Sequence, residues 1–132
     1  MTATRREARE RALGLLYEAE VREVAPSEVL DALPVAPDPY ATELVIGVGE
    51  NQADIDELIR RFARDWKLER MPAVDRAIMR MAIHELRAND DVPTGVIIDE
   101  AVDLAKQYST DESGRFVNGM LARIAAEVRP SA

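Results

Sequence analysis

The sequence predicts an all-α protein, a compact bundle of six or seven helices in a single domain spanning residues 1–132. Apolar residues recur at the 3.6-residue spacing of a helix, and no segment sustains the alternation of a strand. Alanine, leucine, glutamate and arginine, all good helix formers, supply much of the chain. Prolines and an Asn-Asp-Asp turn divide it into segments with short connections, which favours antiparallel packing of neighbouring helices.

The first two helices are predicted from their capping signals. Thr4 and Glu7 form a capping box, after which the apolar repeat runs to about Glu23. Pro26 opens a short second helix and Pro34 closes it, because proline fits the first turn of a helix but disrupts its interior. The loop that follows, Val-Ala-Pro-Asp-Pro, separates the two halves of the chain.

An apolar repeat from Tyr40 to Trp66 predicts one long helix or two nearly collinear helices. Gly47 and Gly49 interrupt its helix propensity. Since no phosphate-loop pattern surrounds these glycines, we expect them to permit a close helix-helix approach or a kink rather than to bind a ligand.

Three further helices complete the predicted bundle. Pro72 suits the first turn of a helix that ends at the Asn-Asp-Asp cluster of residues 89–91, and Pro93 precedes the next helix. Ser109 and Glu112 form a second capping box ahead of the last helix.

The composition excludes several classes of protein. An apolar fraction of 47% favours a packed core, and the absence of cysteine excludes disulfides, thiolate metal sites and catalytic thiols. No segment approaches membrane-spanning length or resembles a secretory signal, so we expect a cytoplasmic protein without a membrane partner. The net charge of -8, taken alone, argues against a polyanionic ligand, but the distribution of basic residues matters more than their sum.

No constellation of catalytic or cofactor-binding residues is visible. His84 is the only histidine, which excludes a multi-histidine metal site, and its place in a helix beside Glu85 favours a structural hydrogen bond. Acidic pairs such as Asp90 and Asp91 are typical of solvated turns. Phosphate-loop, dinucleotide-binding, zinc-protease and EF-hand patterns are missing from the sequence. The sequence therefore predicts a protein that is not an enzyme and needs no cofactor or metal.

One unusual segment is the arginine-rich opening of the first helix. Arg5 and Arg9 lie one turn apart on the same side of that helix, while Arg6 and Arg11 can pair with acidic neighbours. The planar guanidinium group suits phosphate contacts and stacking on bases. A solvated, salt-bridged helix face is the equally good alternative.

A second unusual segment is the start of the last helix, YSTDESGRFVNGML. Free backbone N–H groups there precede Arg115 and Phe116, and Asn118 and Gly119 follow within the expected helix. An arginine, an aromatic ring and a helix N-terminus are groups that bind single-stranded RNA. The alternative is structural, with Phe116 in the core, Gly119 at a close helix crossing and Asn118 in a local hydrogen bond.

Three stretches of the chain resemble the NusB family. They are RREARERALGLLYE at residues 5–18, RMPAVDRAIMRMAIHEL at residues 70–86 and VPTGVIIDEAVDLAKQYSTDESGRFVNGML at residues 92–121. They occur in the family's order and spacing, and the last includes the specific ending AVDLAKxYSxxxSxxFVNG.

The resemblance implies a helical fold of two packed subbundles and a role in transcription antitermination. Proteins of this family bind single-stranded boxA RNA, especially in ribosomal RNA leaders, together with NusE, which is also a protein of the small ribosomal subunit. The pair joins an RNA polymerase complex that resists premature termination. Acidic groups on the chain would suit a basic ribosomal protein as partner.

The resemblance also implies which residues form each surface. The RNA-binding residues would lie at the starts of the first and last helices: Arg5, Arg6, Arg9, Glu112, Arg115, Phe116 and Asn118. The arginines would hold phosphates, Phe116 would stack on a base or support the surface, and Glu112 would orient hydrogen-bond donors. The NusE-binding residues would be Glu69, Asp75 and Arg80.

The opening segment departs from the especially basic N-terminus of the family. It has no lysine, and Glu7 and Glu10 are interleaved with its arginines. We therefore expect weak, salt-sensitive RNA binding by the protein alone and tighter binding in the presence of NusE.

Two other functions are alternatives. A domain similar to NusB precedes the catalytic domain of some ribosomal RNA cytosine methyltransferases, but this chain ends at Ala132 without that domain, so we expect no methyl transfer. The other alternative is a protein-only adaptor or a self-associating bundle. Some members of the family form homodimers, and a homodimer could cover the RNA surface.

Overall fold

Six α-helices and one 3₁₀ turn make up a computed structural model that describes residues 3–64 and 67–130. No strand occurs in these two ranges, so the predicted fold class is confirmed. The elements in chain order are α1 (Arg5–Arg22), α2 (Pro26–Asp31), α3 (Pro39–Ala63), the 3₁₀ turn (Leu68–Arg70), α4 (Ala73–Ala88), α5 (Thr94–Tyr108) and α6 (Asp111–Val128).

The helices form two packed subbundles that share one core. Helices α1, α2 and α3 contact one another, as do α4, α5 and α6, and α4 also packs against α1 and α3. Side chains all round α4 are buried, from Ala77 through Leu86 without interruption. A helix buried on every side lies at the centre of a bundle, so only the two ends of α4 reach solvent.

Helix α1 begins as its sequence predicts. The Thr4 hydroxyl accepts a hydrogen bond from the Glu7 backbone N–H, and the Glu7 carboxylate accepts one from the Thr4 N–H, each at 3.0 Å. These two bonds satisfy donors that a helix start leaves free. The capping box therefore fixes the arginine-rich first turn.

Helix α3 bends at Asn51 rather than at either glycine. Asn51 has φ -119° and ψ 16°, and its side-chain amide donates to the Gly47 carbonyl at 2.9 Å. Gly47 serves the other predicted purpose, a close approach, because a Cβ atom there would lie 2.0 Å from Cε1 of the His84 ring. The helix ends at Ala63, and Trp66, the predicted end, lies outside the described residues.

The predicted capping box of α6 is wrong by one residue. Thr110 is the N-cap, and its hydroxyl accepts from the Ser113 backbone N–H at 2.9 Å. Ser109 instead ends α5, where its N–H donates to the Ala105 carbonyl at 2.8 Å. One residue cannot hold both the conformation of this helix end and the extended conformation of the next N-cap.

Candidate nucleic-acid interface

Arg5 and Arg6 lie at the start of α1 with about half of each side chain exposed. The Arg5 guanidinium carbon is 4.0 Å from the centre of the Tyr40 ring, a cation–π contact, and Arg5 is also 4.0 Å from Asp91. Arg6 pairs with two carboxylates of α5, Glu100 at 3.3 Å and Asp103 at 3.6 Å. Both guanidinium groups can reach a phosphate, but Arg6 must first exchange its carboxylate partners.

Arg9 lies on the same side of α1 as Arg5, as predicted, since both guanidinium groups lie near the Tyr40 ring, but Arg9 is buried. Arg9 is 3% exposed, and its guanidinium binds both oxygens of Glu85, Nε to Oε1 at 2.9 Å and Nη2 to Oε2 at 2.8 Å. Arg5 lies over the Tyr40 ring, whereas Arg9, one turn later, reaches Glu85 of α4. A buried, doubly paired arginine of this kind holds α1 against α4.

A hydrogen-bond network surrounds the Arg9–Glu85 pair. The Tyr40 hydroxyl donates to Glu85 Oε2 at 2.6 Å, and the Asn89 amide donates to the Tyr40 hydroxyl at 3.1 Å. Burial, and then the hydrogen bond to Glu85, raises the pKa of Tyr40 to about 12. The network ties α1 to α3 and α4 and holds the Tyr40 ring under Arg5.

Three predicted residues of α6 are exposed along one side of its first two turns: Glu112, Arg115 and Asn118. Their spacing of three residues places them in a row on the helix surface. Phe116 is partly buried and packs against the core, as the structural alternative predicts. Phe116 and Glu112 also line a cavity of about 390 Å³ between this helix start and the start of α4.

The structural alternatives for the neighbouring residues fail. A Cβ atom at Gly119 would meet nothing within 4 Å, so this glycine marks no close helix crossing. Asn118 is exposed, and its side chain makes no hydrogen bond within the part of the chain that the structure describes. Packing within the bundle therefore does not explain the Asn-Gly pair.

Helix α5 lies between the two candidate RNA-binding helix starts. Its Glu100 and Asp103 contact Arg6, and the hydroxyl of Tyr108 donates to Glu10 of α1 at 2.6 Å. On the α6 side, the Lys106 stem lies against Gly114. Residues far apart in the sequence therefore flank one exposed strip of α5.

Of the three predicted partner-binding residues, Glu69 and Arg80 line one cavity, whereas Asp75 lies elsewhere, between the starts of α4 and α6. Glu69 is exposed, with its carboxylate 3.4 Å from Arg60. Arg80 is buried between α1 and α3, where it binds both Asp56 oxygens at 2.8 and 3.0 Å and Glu20 at 3.0 Å. Because α4 is enclosed on all sides, an arginine in its middle is satisfied inside the bundle.

Asp75 is also buried, but one of its oxygens is unusual. Oδ2 accepts a hydrogen bond from the Ser113 hydroxyl at 2.8 Å, which joins the start of α4 to the start of α6. Oδ1 is buried without a hydrogen-bond partner among the described residues. Asp75 therefore braces the two helix starts and does not present a charged surface.

An exposed aromatic groove beside these residues was missed by sequence reasoning. Tyr17 of α1 is 44% exposed and Tyr108 of α5 is 48% exposed. The groove lies between α1 and the start of α4 and is lined by Leu13, Gly14, Tyr17, Pro72, Ala73, Val74 and Tyr108. The two tyrosines are the only sequence signal of this groove, and they lie 91 residues apart, so the signal is visible only once the fold brings them to one groove.

The other chemical candidates have structural roles. His84 is buried against Gly47, and its Nε2 lies 2.8 Å from Glu43 Oε1.

Across residues 3–64 and 67–130, no three acidic or histidine side chains form a group that could hold a metal ion. Within the same ranges, each helix is too short or too polar to span a membrane.

Comparison with known proteins points to one family. A family model described as the NusB family matches residues 6–126. The transcription antitermination protein NusB of Kineococcus radiotolerans is 50% identical over 127 residues, covering 93% of each chain. That of an Arthrobacter species is 47% identical over 133 residues, covering 98% of this chain and 97% of the relative.

Solved structures agree with the sequence relatives. A T. maritima NusB structure superposes with a TM-score of 0.88 at 37% identity, covering 98% of this chain and 96% of the other. A crystal structure of antitermination factors NusB and NusE in complex with dsRNA gives a TM-score of 0.79 at 28% identity, covering 93% and 96%.

Proposed function

The chain belongs to the NusB family of transcription antitermination proteins, and on that premise we propose that it binds boxA RNA together with NusE. The RNA would be the single-stranded boxA element of ribosomal RNA leader transcripts. The protein would act as a non-catalytic adaptor that joins the RNA polymerase antitermination complex and supports transcription of ribosomal RNA operons. A solved complex of NusB and NusE with dsRNA, similar to this chain over 93% of its length, supports RNA and NusE as its ligands.

The observation that carries this proposal is the pair of polar helix starts on either side of α5. Arg5 and Arg6 supply exposed charge on one side, while Arg115 and Asn118 supply a cation and an amide on the other. Arginines at such positions bind phosphates, and an amide can read a base edge. Phe116 is anchored in the core, so it would support this surface or stack on a base through its accessible edge.

The buried residues of the predicted set would act indirectly. Arg9 would position α1 through Glu85, and Asp75 would position α6 through Ser113. Glu112 would orient donors at the rim of the cavity, because a carboxylate repels phosphate.

We assign the aromatic groove between α1 and α4 to NusE. Its exposed tyrosines offer apolar contact area with polar ends, a pattern enriched at protein interfaces. Glu69 is the accessible carboxylate of the predicted partner-binding set, and a net charge of -8 favours association with a basic ribosomal protein. Arg80 would contribute by holding α4 in place rather than by direct contact.

Fluorescence anisotropy with labelled boxA RNA and a scrambled RNA, each with and without NusE, tests the RNA proposal. The Arg5→Ala/Arg6→Ala variant should lose most of the boxA binding, and Arg115→Ala should weaken it. A matched control is Arg22→Ala/Arg61→Ala, which removes two arginines of similar exposure elsewhere on the bundle. Equal binding to both RNAs, or equal losses in the two double variants, would contradict a specific site.

Light scattering distinguishes NusE from a second copy of the chain as occupant of the groove. We expect a monomer that forms a one-to-one complex with NusE. Tyr17→Asp should prevent that complex without unfolding the protein, because Tyr17 is exposed. A stable homodimer that Tyr17→Asp dissociates, together with unchanged NusE binding, would assign the groove to self-association.

A further inference from the structure

We propose that Lys106 is a phosphate-binding residue that links the two RNA-contacting helix starts across α5. The inference rests on the proposed RNA-binding function and adds a residue from a helix to which none of the RNA-binding residues has been assigned. Lys106 is one of only two lysines in the chain, and it is exposed.

The first support is the placement of the Lys106 side chain. A Cβ atom on Gly114 would lie 2.8 Å from Cγ of Lys106 and 3.2 Å from its Cε. The lysine stem therefore lies directly against the backbone of α6, next to Arg115. A Cβ atom at this position would force the lysine stem to shift, because contacts below 3.0 Å are essentially absent at real Cβ atoms.

The second support is the difference in charge pairing between Lys106 and Arg6. Arg6 is paired with Glu100 and Asp103, whereas Lys106 forms no ion pair with any residue that the structure describes. Its ammonium group can thus bind a phosphate without first releasing a carboxylate. An exposed lysine of this kind is available as a point charge for the RNA backbone.

The third support is position along the path of the RNA. Lys106 follows Asp103 by three residues, so the two are neighbours on the surface of α5. Asp103 contacts Arg6 on one side, and Gly114 contacts Lys106 on the other. An RNA strand that touches both Arg6 and Arg115 would pass over α5, whose only basic residue is Lys106.

Salt-dependent boxA binding by three variants tests this inference. Lys106→Gln keeps most of the stem and removes the charge, so it should weaken binding roughly fivefold and reduce the slope of log K against log salt by about 0.7. Gly114→Ala should weaken binding similarly by displacing the stem, while its melting temperature is not lowered, because alanine is the better helix former. The matched control is Gly95→Ala in α5, where an added Cβ meets nothing within 4 Å.

The double variant Lys106→Gln/Gly114→Ala shows whether the glycine acts through the lysine. If it does, the double variant binds no more weakly than Lys106→Gln alone. Unchanged affinity and salt slope in Lys106→Gln, beside lost binding in Arg5→Ala/Arg6→Ala, would overturn the inference and leave the proposed function standing. Absence of boxA binding by the unmodified protein with NusE would overturn both.

Discussion

Individual charged residues at the start of α1 divide into exposed and buried groups within a single helical turn. Arg5 and Arg6 remain half exposed, whereas Arg9 is enclosed with Glu85 and Tyr40. A buried ion pair of this kind gives little net stability, but it is costly to break on one side only. Arg9 and Glu85 are therefore expected to affect stability first and RNA binding only through the fold.

Replacement of Arg9 separates these two roles. Arg9→Met should destabilise the protein by about 3–5 kcal/mol, since it leaves the Glu85 carboxylate buried without its main partner. Arg9→Met/Glu85→Met should recover part of this loss and keep its boxA affinity, as measured by urea unfolding and anisotropy. If the double variant folds but no longer binds boxA, Arg9 contacts the RNA directly.

Tyr40 makes stability depend on alkaline pH. Its pKa is raised to about 12 in the folded state from 10.0, so its stabilising effect is complete below pH 10 and is lost as the pH rises toward 12. Tyr40→Phe should lower the unfolding free energy by about 1 kcal/mol at pH 8 through the lost hydrogen bond to Glu85. The difference between the two proteins should shrink from pH 10 to pH 11, and a constant difference would contradict the raised pKa.

At the scale of helices, each of the two candidate RNA-binding segments lies at a capped helix start. Thr4 caps α1 and Thr110 caps α6, so both starts have a defined direction and rotation. The cap of α6 also helps to shape the cavity between the starts of α4 and α6, because Ser113 is hydrogen-bonded to both Thr110 and Asp75. Loss of this cap should loosen the first turn that carries Glu112 and Arg115.

The two capping assignments for α6 predict different mutants to be harmful. Thr110→Ala should cost about 1 kcal/mol, because the Ser113 N–H loses its acceptor. Ser109→Ala should cost clearly less, since its hydroxyl bonds only the Ser113 hydroxyl, at 3.0 Å. Urea unfolding of both variants measures the difference, and a larger loss in Ser109→Ala would favour the cap predicted from sequence.

At the scale of the whole molecule, an acidic protein presents a small basic surface that its own carboxylates partly neutralise. Glu100 and Asp103 hold Arg6, so an RNA bound as proposed would have to compete with them for the guanidinium group. This competition is the physical reason to expect weak RNA binding without NusE, whose basic surface would reduce the overall repulsion.

Removal of the competing carboxylates should strengthen RNA binding by the protein alone. Glu100→Gln/Asp103→Asn is expected to raise boxA affinity several-fold at low salt, with a smaller gain at high salt because added ions screen the charges. Glu18→Gln/Glu127→Gln is the matched control, since those residues pair with Arg22 and Arg61. Equal gains in both variants would indicate a general effect of net charge instead of release of Arg6.

The local patterns of the sequence were sufficient for the helices and the family. Helical periodicity, the Thr4–Glu7 box and the placement of prolines predict elements that the structure confirms, because caps and turns depend on neighbours a few residues away. The three NusB-like stretches predict the family, which the family model and the solved structures confirm.

Only the tertiary structure decided which side chains of those elements face solvent. Three buried charged residues look like exposed ones in the sequence, because each lies in a helix among other charged residues. Each binds a partner that is distant in sequence: Arg9 binds Glu85, Asp75 binds Ser113 and Arg80 binds Asp56. The placement of Lys106 over Gly114 likewise requires α5 and α6 to be packed. Whether a charged side chain is buried or exposed depends on which other helix packs over it. That packing joins segments distant in sequence, so no local pattern of residues predicts it.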